Sequence, residues 1–152
     1  ALVAYADPAS RQVLVRSLGD QVASVREAAA KAAAAAKLKD AVPRLTKLLI
    51  KGEAPAAEAL AVLADVDLAR AIAELLGTAP EPVLAQCLGA ILRRADFGPE
   101  PARVQVVRAI AKISGPEALT ALSDYVEATT ADKSRPSRRE AEALVEARLG
   151  GS

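Results

Sequence analysis

Apolar residues recur every three or four positions along most of this chain, which is the spacing of amphipathic α-helices and not the alternation of strands. Two clear stripes are Val42, Leu45, Leu48 and Leu49, then Leu84, Cys87, Leu88, Ile91 and Leu92. Prolines and glycines separate the stripes at positions that suit helix starts and stops. The pattern predicts nine helices, joined mostly by short connections, at residues 8–18, 24–38, 41–51, 55–64, 67–77, 81–94, 101–113, 117–129 and 137–149.

Helix starts carry a second signal in the spacing of hydroxyl and acidic residues. A Ser or Thr followed three positions later by Glu fits a capping box, in which the hydroxyl accepts a bond from a free backbone N–H. The spacing occurs at Ser24 and Glu27, Thr78 and Glu81, Ser114 and Glu117, and Ser137 and Glu140. We therefore expect side-chain caps at four of the nine helices.

Two stretches, 24–49 and 101–126, resemble each other when one is shifted by 77 positions. The shift pairs Arg26 with Arg103 and Leu45 with Leu122, and it also aligns charged, turn and apolar positions. Each stretch reads as helix, tight turn, helix. Self-similar helix pairs are typical of stacked solenoids, in which function usually lies on one exposed face.

The segment Val25-Arg26-Glu27-Ala28-Ala29, followed by Asp40-Ala41-Val42-Pro43-Arg44-Leu45, resembles a HEAT-like repeat of the armadillo-like, PBS-lyase type. Ser114-Gly115-Pro116-Glu117-Ala118-Leu119 repeats its turn. The resemblance implies a single all-α domain over residues 1–152, a right-handed α-solenoid of about four stacked antiparallel helix pairs. It also implies that the second helix of each pair lines a concave binding face.

The helix count and the repeat disagree about one helix. Alternation makes the helix at 101–113 an inner one, whereas its match to 24–38 makes it an outer one. Either a helix is missing near residues 94–99 or the register shifts there, so we expect irregularity at 95–99. Residues 28–36 are alanine except Lys31, which predicts close neighbours and a central place for that helix.

Composition argues against catalysis. The chain has no His, Met or Trp and one cysteine, so the commonest general base and metal ligand is absent and no disulfide can form within it. No glycine-rich phosphate loop is present. We expect no enzyme activity, no cofactor, no metal site and no membrane span. Cys87 lies on an apolar stripe and is interpreted as a core residue, with a reactive thiol as the alternative.

Charge is spread unevenly along the chain. Residues 1–51 carry nine Lys or Arg against four Asp or Glu, and residues 52–100 carry three against eight. Arg44, Lys47 and Lys51 recur at helical spacing opposite the apolar stripe of their helix. The partner-binding hypothesis places these three in a groove with Arg70, Glu74, Asp124 and Tyr125. The alternatives are a solvated helix face for the three cations and a core position for Tyr125.

A second basic cluster, of Lys133, Arg135, Arg138 and Arg139, surrounds Pro136. It could bind acidic groups or nucleic acid, or it could be a flexible connection leading into a capped helix. Because the connection at 129–136 is polar and basic, we expect it to be mobile.

Three functions are compatible with these patterns. The first is a non-catalytic scaffold that binds a protein partner along the concave face. The second is binding of duplex DNA through the basic first third. The third is a purely structural role, as a segment of a larger solenoid or as an accessory subunit, with self-association possible through the apolar start at residues 1–6. Residue 1 is not Met, which indicates a processed chain or a piece of a longer one.

Overall fold

A computed structural model describes residues 7–150, and within that range the secondary structure is α-helical, with no β-strand. These residues form nine α-helices, and the three-residue helical turn Lys39–Ala41 precedes the third. Their bounds are α1 Pro8–Ser17, α2 Ala23–Ala35, α3 Val42–Ile50, α4 Ala54–Leu63, α5 Val66–Ala73, α6 Glu81–Arg93, α7 Glu100–Ala111, α8 Pro116–Ala128 and α9 Pro136–Gly150. The nine predicted helices are confirmed. The largest boundary error is at α5, which ends four residues before the predicted position.

Prolines, and not capping boxes, mark most of the helix starts. Seven of the nine helices have a proline at their first or second position. All four predicted capping boxes are wrong, because each hydroxyl residue lies off the cap position. Ser114 and Ser137 instead bond acidic side chains of other helices. The side-chain caps that form are Asp7, which accepts from Ser10 N–H at 2.7 Å, and Asp65, which accepts from Leu68 N–H at 2.8 Å.

Helices two positions apart in the chain pack against each other. The even-numbered helices form a continuous row in which α2 contacts α4, α4 contacts α6 and α6 contacts α8. Among the odd-numbered helices, α5 contacts α7 and α7 contacts α9. Each even-numbered helix also packs on an odd-numbered neighbour, so the core lies between the even row and the odd helices. We use these two names below.

Connections between helices gather at two opposite edges, as expected for antiparallel neighbours. At one edge, Lys39 pairs with Asp65 at 3.4 Å, and the Arg94 guanidinium donates to the carbonyls of Ala61 and Ala64 at 2.8 and 2.6 Å. At the other edge, Arg26 pairs with Glu53 at 3.1 Å. Since Ala61 and Ala64 lie at the end of α4, Arg94 satisfies carbonyls that have no partner within their own helix.

The alanine-rich helix α2 is not central, contrary to the prediction. It lies at one end of the even row, where α1 and α4 are its main neighbours, and only Ala29, Ala30 and Ala33 are buried on it. The middle of the core is α6, which packs against α4 and α8. Gly89 of α6 allows the close approach to α8, since a Cβ there would lie 3.0 Å from Ala121 Cβ.

A buried arginine organises the irregular connection between α6 and α7. Arg103 is 5% exposed. Its Nε donates to the Phe97 carbonyl at 2.8 Å, and its Nη1 donates to the Leu92 carbonyl at 2.6 Å and to the Tyr125 hydroxyl at 3.3 Å. Nη2 donates to the carbonyl of Arg94. One guanidinium thus satisfies three carbonyls of a segment that has no regular hydrogen-bond ladder.

The same cluster fixes the start of α9. Glu100 accepts from the backbone N–H and the hydroxyl of Ser137 at 2.9 and 2.8 Å, and it lies 3.8 Å from Arg103. The hydroxyls of Ser137 and Tyr125 are 2.6 Å apart and share a hydrogen bond. Four helices, α6 to α9, are therefore joined through one buried polar network.

Residues 95–99 form a non-helical connection, but the expected interruption of the array is not present: no helix is missing there and the register does not shift. No helix forms between α6 and α7, the Gly98–Pro99 peptide is cis, and helix contacts keep alternating. Consequently α2 belongs to the even row while its sequence match α7 is an odd helix. What the two stretches share is local: Arg26, like Arg103, donates to carbonyls of the connection before its helix, at 2.8 and 3.0 Å.

Lys37 follows α2 with a left-handed φ of 55°, a conformation that favours glycine. Replacing Lys37 with Gly should raise the free energy of unfolding by roughly 1 kcal/mol, because the Cβ clash of the left-handed region is removed. The matched change Lys31→Gly, in the exposed middle of α2, should lower it by about 1 kcal/mol. Urea unfolding measures both. Equal losses in the two variants would contradict this account of the turn.

Replacing Arg103 with Met should leave buried carbonyls and Glu100 without their partner, and should cost roughly 3–5 kcal/mol of unfolding free energy. Arg26→Met, at the matching and more exposed position, should cost about 1 kcal/mol. The comparison uses urea unfolding followed by circular dichroism. A similar cost at both positions would show that the buried network does not hold the α6–α7 connection.

Candidate partner-binding surfaces

A basic cleft of about 400 Å³ lies between α1 and α3. It is lined by Pro8, Arg11, Gln12, Val15, Arg16, Asp40 and Arg44. The guanidinium of Arg44 approaches the backbone of Gly19 so closely that a Cβ at Gly19 would lie 3.0 Å from its Nη1. Three arginines and one aspartate therefore face one opening, which makes it suited to acidic groups.

The cations of α3 are available for binding. Arg44, Lys47 and Lys51 are exposed, as their spacing predicts. Within residues 7–150, none of the three forms an ion pair. Arg11 and Arg16, on α1, extend this basic surface, although sequence analysis did not single them out. Their signal was modest, because two cations five positions apart do not form a strict helical stripe.

A larger groove of about 590 Å³ separates α5 from α7. Its floor is apolar, and half of the residues that form it are alanines: Val66, Ala69, Ala73, Leu76, Phe97, Ala102, Val106 and Ala109. Its rim is polar, with Arg70 on α5, Gln105 and Arg108 on α7, and Glu74 and Lys112 directly after the ends of these two helices. An apolar floor with a few polar groups around it is the usual form of a ligand site. The groove contains two of the predicted site residues.

A third cleft, of about 540 Å³, lies in the even row between α6 and α8. Asp124 lines it and pairs with Arg93 at 3.8 Å, while Glu117 adds a second acidic group. Tyr125 is fully buried, so it is a core residue and not a surface anchor. Its hydroxyl belongs to the Arg103 network described above.

The predicted site residues thus separate into three places. Arg70 and Glu74 share the α5–α7 groove, and Arg44 faces the α1–α3 cleft. Asp124 lies in the even row and does not join them. Sequence analysis missed Gln105, Arg108 and Lys112, although their spacing of three and four opposite the Val106 and Ile110 stripe could have revealed them.

The second basic cluster is only partly accessible. Arg138 is buried and pairs with Glu142, while Arg135 is half-buried beside Glu100 and Asp132. Lys133 and Arg139 remain exposed and line a small cleft of about 290 Å³. Glu142 and Glu146 also line this cleft, so its charges are mixed.

The net charge of the odd helices and that of the even row have opposite signs. The odd helices contain ten Lys or Arg against five Asp or Glu, a net charge of +5. The even row contains three against six, a net charge of −3. Both open sites with basic rims, the α1–α3 cleft and the α5–α7 groove, lie on odd helices. The sign of the charge therefore depends on which set of helices a surface belongs to.

The only cysteine is not placed for chemistry. Cys87 is fully buried on α6, and burial raises the pKa of its thiol to about 12. The core interpretation of Cys87 is confirmed. Across residues 7–150, no three His, Cys, Asp or Glu side chains come together in a way that could hold a metal ion.

The part of the chain covered by residues 7–150 also has no helix whose length and apolar content suit a membrane crossing. Residues 1–6, predicted as a contact surface, lie outside the described range. Comparisons with protein-family models, with curated proteins and with solved structures find no match to this chain.

The Cys87 thiol should react with a disulfide reagent at pH 8 no faster than the protein unfolds. A thiol of Ala71→Cys, on an exposed position in a Cys87→Ala background, should react at once. Because the folded-state pKa is raised, the thiol's contribution to stability is complete below pH 9 and is lost as the pH rises towards about 12. Rapid labelling of the folded wild type would contradict burial of this side chain.

Proposed function

We propose that this protein is a non-catalytic interaction scaffold that binds an acidic protein partner on the surface of its odd helices. The observation that carries the proposal is the set of α3 cations that form no ion pair with any of residues 7–150, next to the arginines of the α1–α3 cleft. Cations that lack internal partners gain most from an external acidic one, and complementary charge speeds encounter and selects the partner.

The proposed architecture is a HEAT-like α-solenoid. Successive contacts along the even row and connections gathered at two edges support it, because repeat arrays stack helix pairs in this way. In such arrays each repeat contacts its neighbours alone, which leaves one extended face for a partner. We place that face on the odd helices because the two basic-rimmed openings lie there.

Duplex nucleic acid is the second candidate ligand. The exposed Arg44, Lys47 and Lys51 favour it, since phosphate contacts need lysine and arginine without internal partners. The total charge of +1 and the acidic even row count against it. An acidic protein partner is compatible with the low total charge and with the acidic even row, because it needs only a local basic patch to bind.

Charge reversal on α3 should abolish partner binding. The variant Arg44→Glu, Lys47→Glu, Lys51→Glu is compared with the wild type in capture from native lysate, with and without nuclease. The control variant, Lys31→Glu, Lys133→Glu, Arg139→Glu, changes the net charge equally at exposed positions elsewhere. Captured proteins are then purified and titrated directly. We expect nuclease-resistant binding by the wild type and the control, and at least a tenfold loss in the α3 variant.

The remaining outcomes each point elsewhere. Equal binding by wild type and α3 variant would overturn the proposal. Loss in the control variant alone would move the site to the second basic cluster or to α2. Capture that disappears with nuclease, together with a steep loss of DNA binding as salt is added, would make nucleic acid the ligand.

A further inference from the structure

The α5–α7 groove exposes apolar surface that the core leaves uncovered. Val66, Ala73, Leu76, Ala102 and Ala109 are half-buried: each packs against the core on one side and lines the groove on the other. By contrast, Val83, Ala85 and Ala121 of the α6–α8 cleft are buried, and the accessible apolar lining there includes the rings of Pro82 and Pro116. The two openings have similar volumes, and the α5–α7 groove exposes the larger apolar area.

The charge on the rims also separates the two openings. The α5–α7 groove is lined by Arg70, Arg108 and Lys112 against Glu74. The α6–α8 cleft is lined by Arg93 against Glu117 and Asp124. In the first groove, Lys112 has no ion-pair partner within residues 7–150. The Arg70–Asp67 pair is exposed and 3.6 Å long, which leaves Arg70 able to exchange Asp67 for a ligand carboxylate. Arg108 is already held by Glu140 at 2.6 Å.

The small side chains of the floor leave room for a bulky one from outside. Ala69 and Ala73 on α5 and Ala102 and Ala109 on α7 line the groove from both sides, so four of the eight apolar side chains that line it are single methyl groups. A leucine or phenylalanine inserted between these helices would bury apolar area on both. Flanking acidic residues would then meet Arg70 and Lys112.

We propose that the α5–α7 groove is the anchor site for a linear acidic peptide segment that inserts a bulky apolar side chain between α5 and α7. The inference rests on the proposed function, because it names the site and the chemistry by which a partner is held. Lys112 and Arg70 receive the acidic residues, and the alanine-lined floor receives the apolar one. The basic α1–α3 cleft binds further acidic residues of the same partner.

The test uses three short synthetic peptides and protein labelled at its alanine methyl groups. The first peptide has two leucines flanked by glutamates. In the second the leucines are replaced by serines, and in the third the glutamates are replaced by lysines. Nuclear magnetic resonance follows the methyls of Ala69, Ala73, Ala102 and Ala109 in the groove, with Ala85 and Ala121 reporting the α6–α8 cleft. We expect the first peptide to shift the groove methyls and the other two to bind at least tenfold more weakly.

Two variants make the assignment specific. Ala109→Leu fills the groove and Lys112→Glu reverses its free cation, so each should weaken the first peptide by about tenfold or more. Thr120→Leu fills the α6–α8 cleft and should leave binding unchanged. Circular dichroism and thermal unfolding confirm that the three variants fold. Shifts confined to Ala85 and Ala121, equal binding by the serine peptide, or no effect of Ala109→Leu would overturn the proposal.

Failure here is distinguishable from failure of the proposed function. If no peptide shifts the groove methyls while charge reversal on α3 still abolishes partner binding, the groove assignment is wrong and the scaffold function stands. If both experiments fail, the odd helices do not form a binding surface.

Discussion

The packing of the second half of the molecule depends on the hydrogen bonds of one buried residue, Arg103. A buried guanidinium loses its contacts with water and must be hydrogen-bonded by the protein, and here it donates to three carbonyls and to the Tyr125 hydroxyl. Those carbonyls belong to the end of α6 and to the connection that follows. Glu100 balances part of the charge and holds Ser137 at the start of α9. Remote segments of the chain are thereby fixed to one another without a disulfide.

Less buried arginines also donate hydrogen bonds to carbonyls at the ends of other helices. Arg94 bonds the last carbonyls of α4, and Arg148 bonds the carbonyls of Ala111 and Ile113 at the end of α7, both at 2.8 Å. A helix end leaves carbonyls without internal partners, and an arginine from a neighbouring helix supplies several donors at once. Several of the chain's arginines are therefore structural. Arg44, Lys47 and Lys51 of α3 and Lys112 at the end of α7 form no ion pair within residues 7–150, and they are exposed where a partner could contact them.

This division explains why the candidate site was only partly predictable. The exposure of Arg44, Lys47 and Lys51 follows from helical spacing, and the structure agrees with it. Spacing cannot tell on which set of helices a residue lies, so Asp124 was grouped with residues that belong to the odd helices. Spacing also cannot tell an exposed cation from a buried one. Arg138, for example, was included in the second basic cluster but is buried. The α5–α7 groove arises between two helices whose closest sequence positions are Ala73 and Glu100, and all of α6 lies between those positions.

For residues 7–150, the sequence alone determined the number of helices, their bounds to within a few residues and the core role of Cys87. These features depend on local spacing, on proline and on glycine, which act within a few residues. Tertiary structure alone decided the end position of α2, the different packing of α2 and α7, the partners of Ser114 and Ser137, and the division of charge between the even row and the odd helices. Each of these depends on contacts between helices distant in sequence, where packing and hydrogen bonding override local preference.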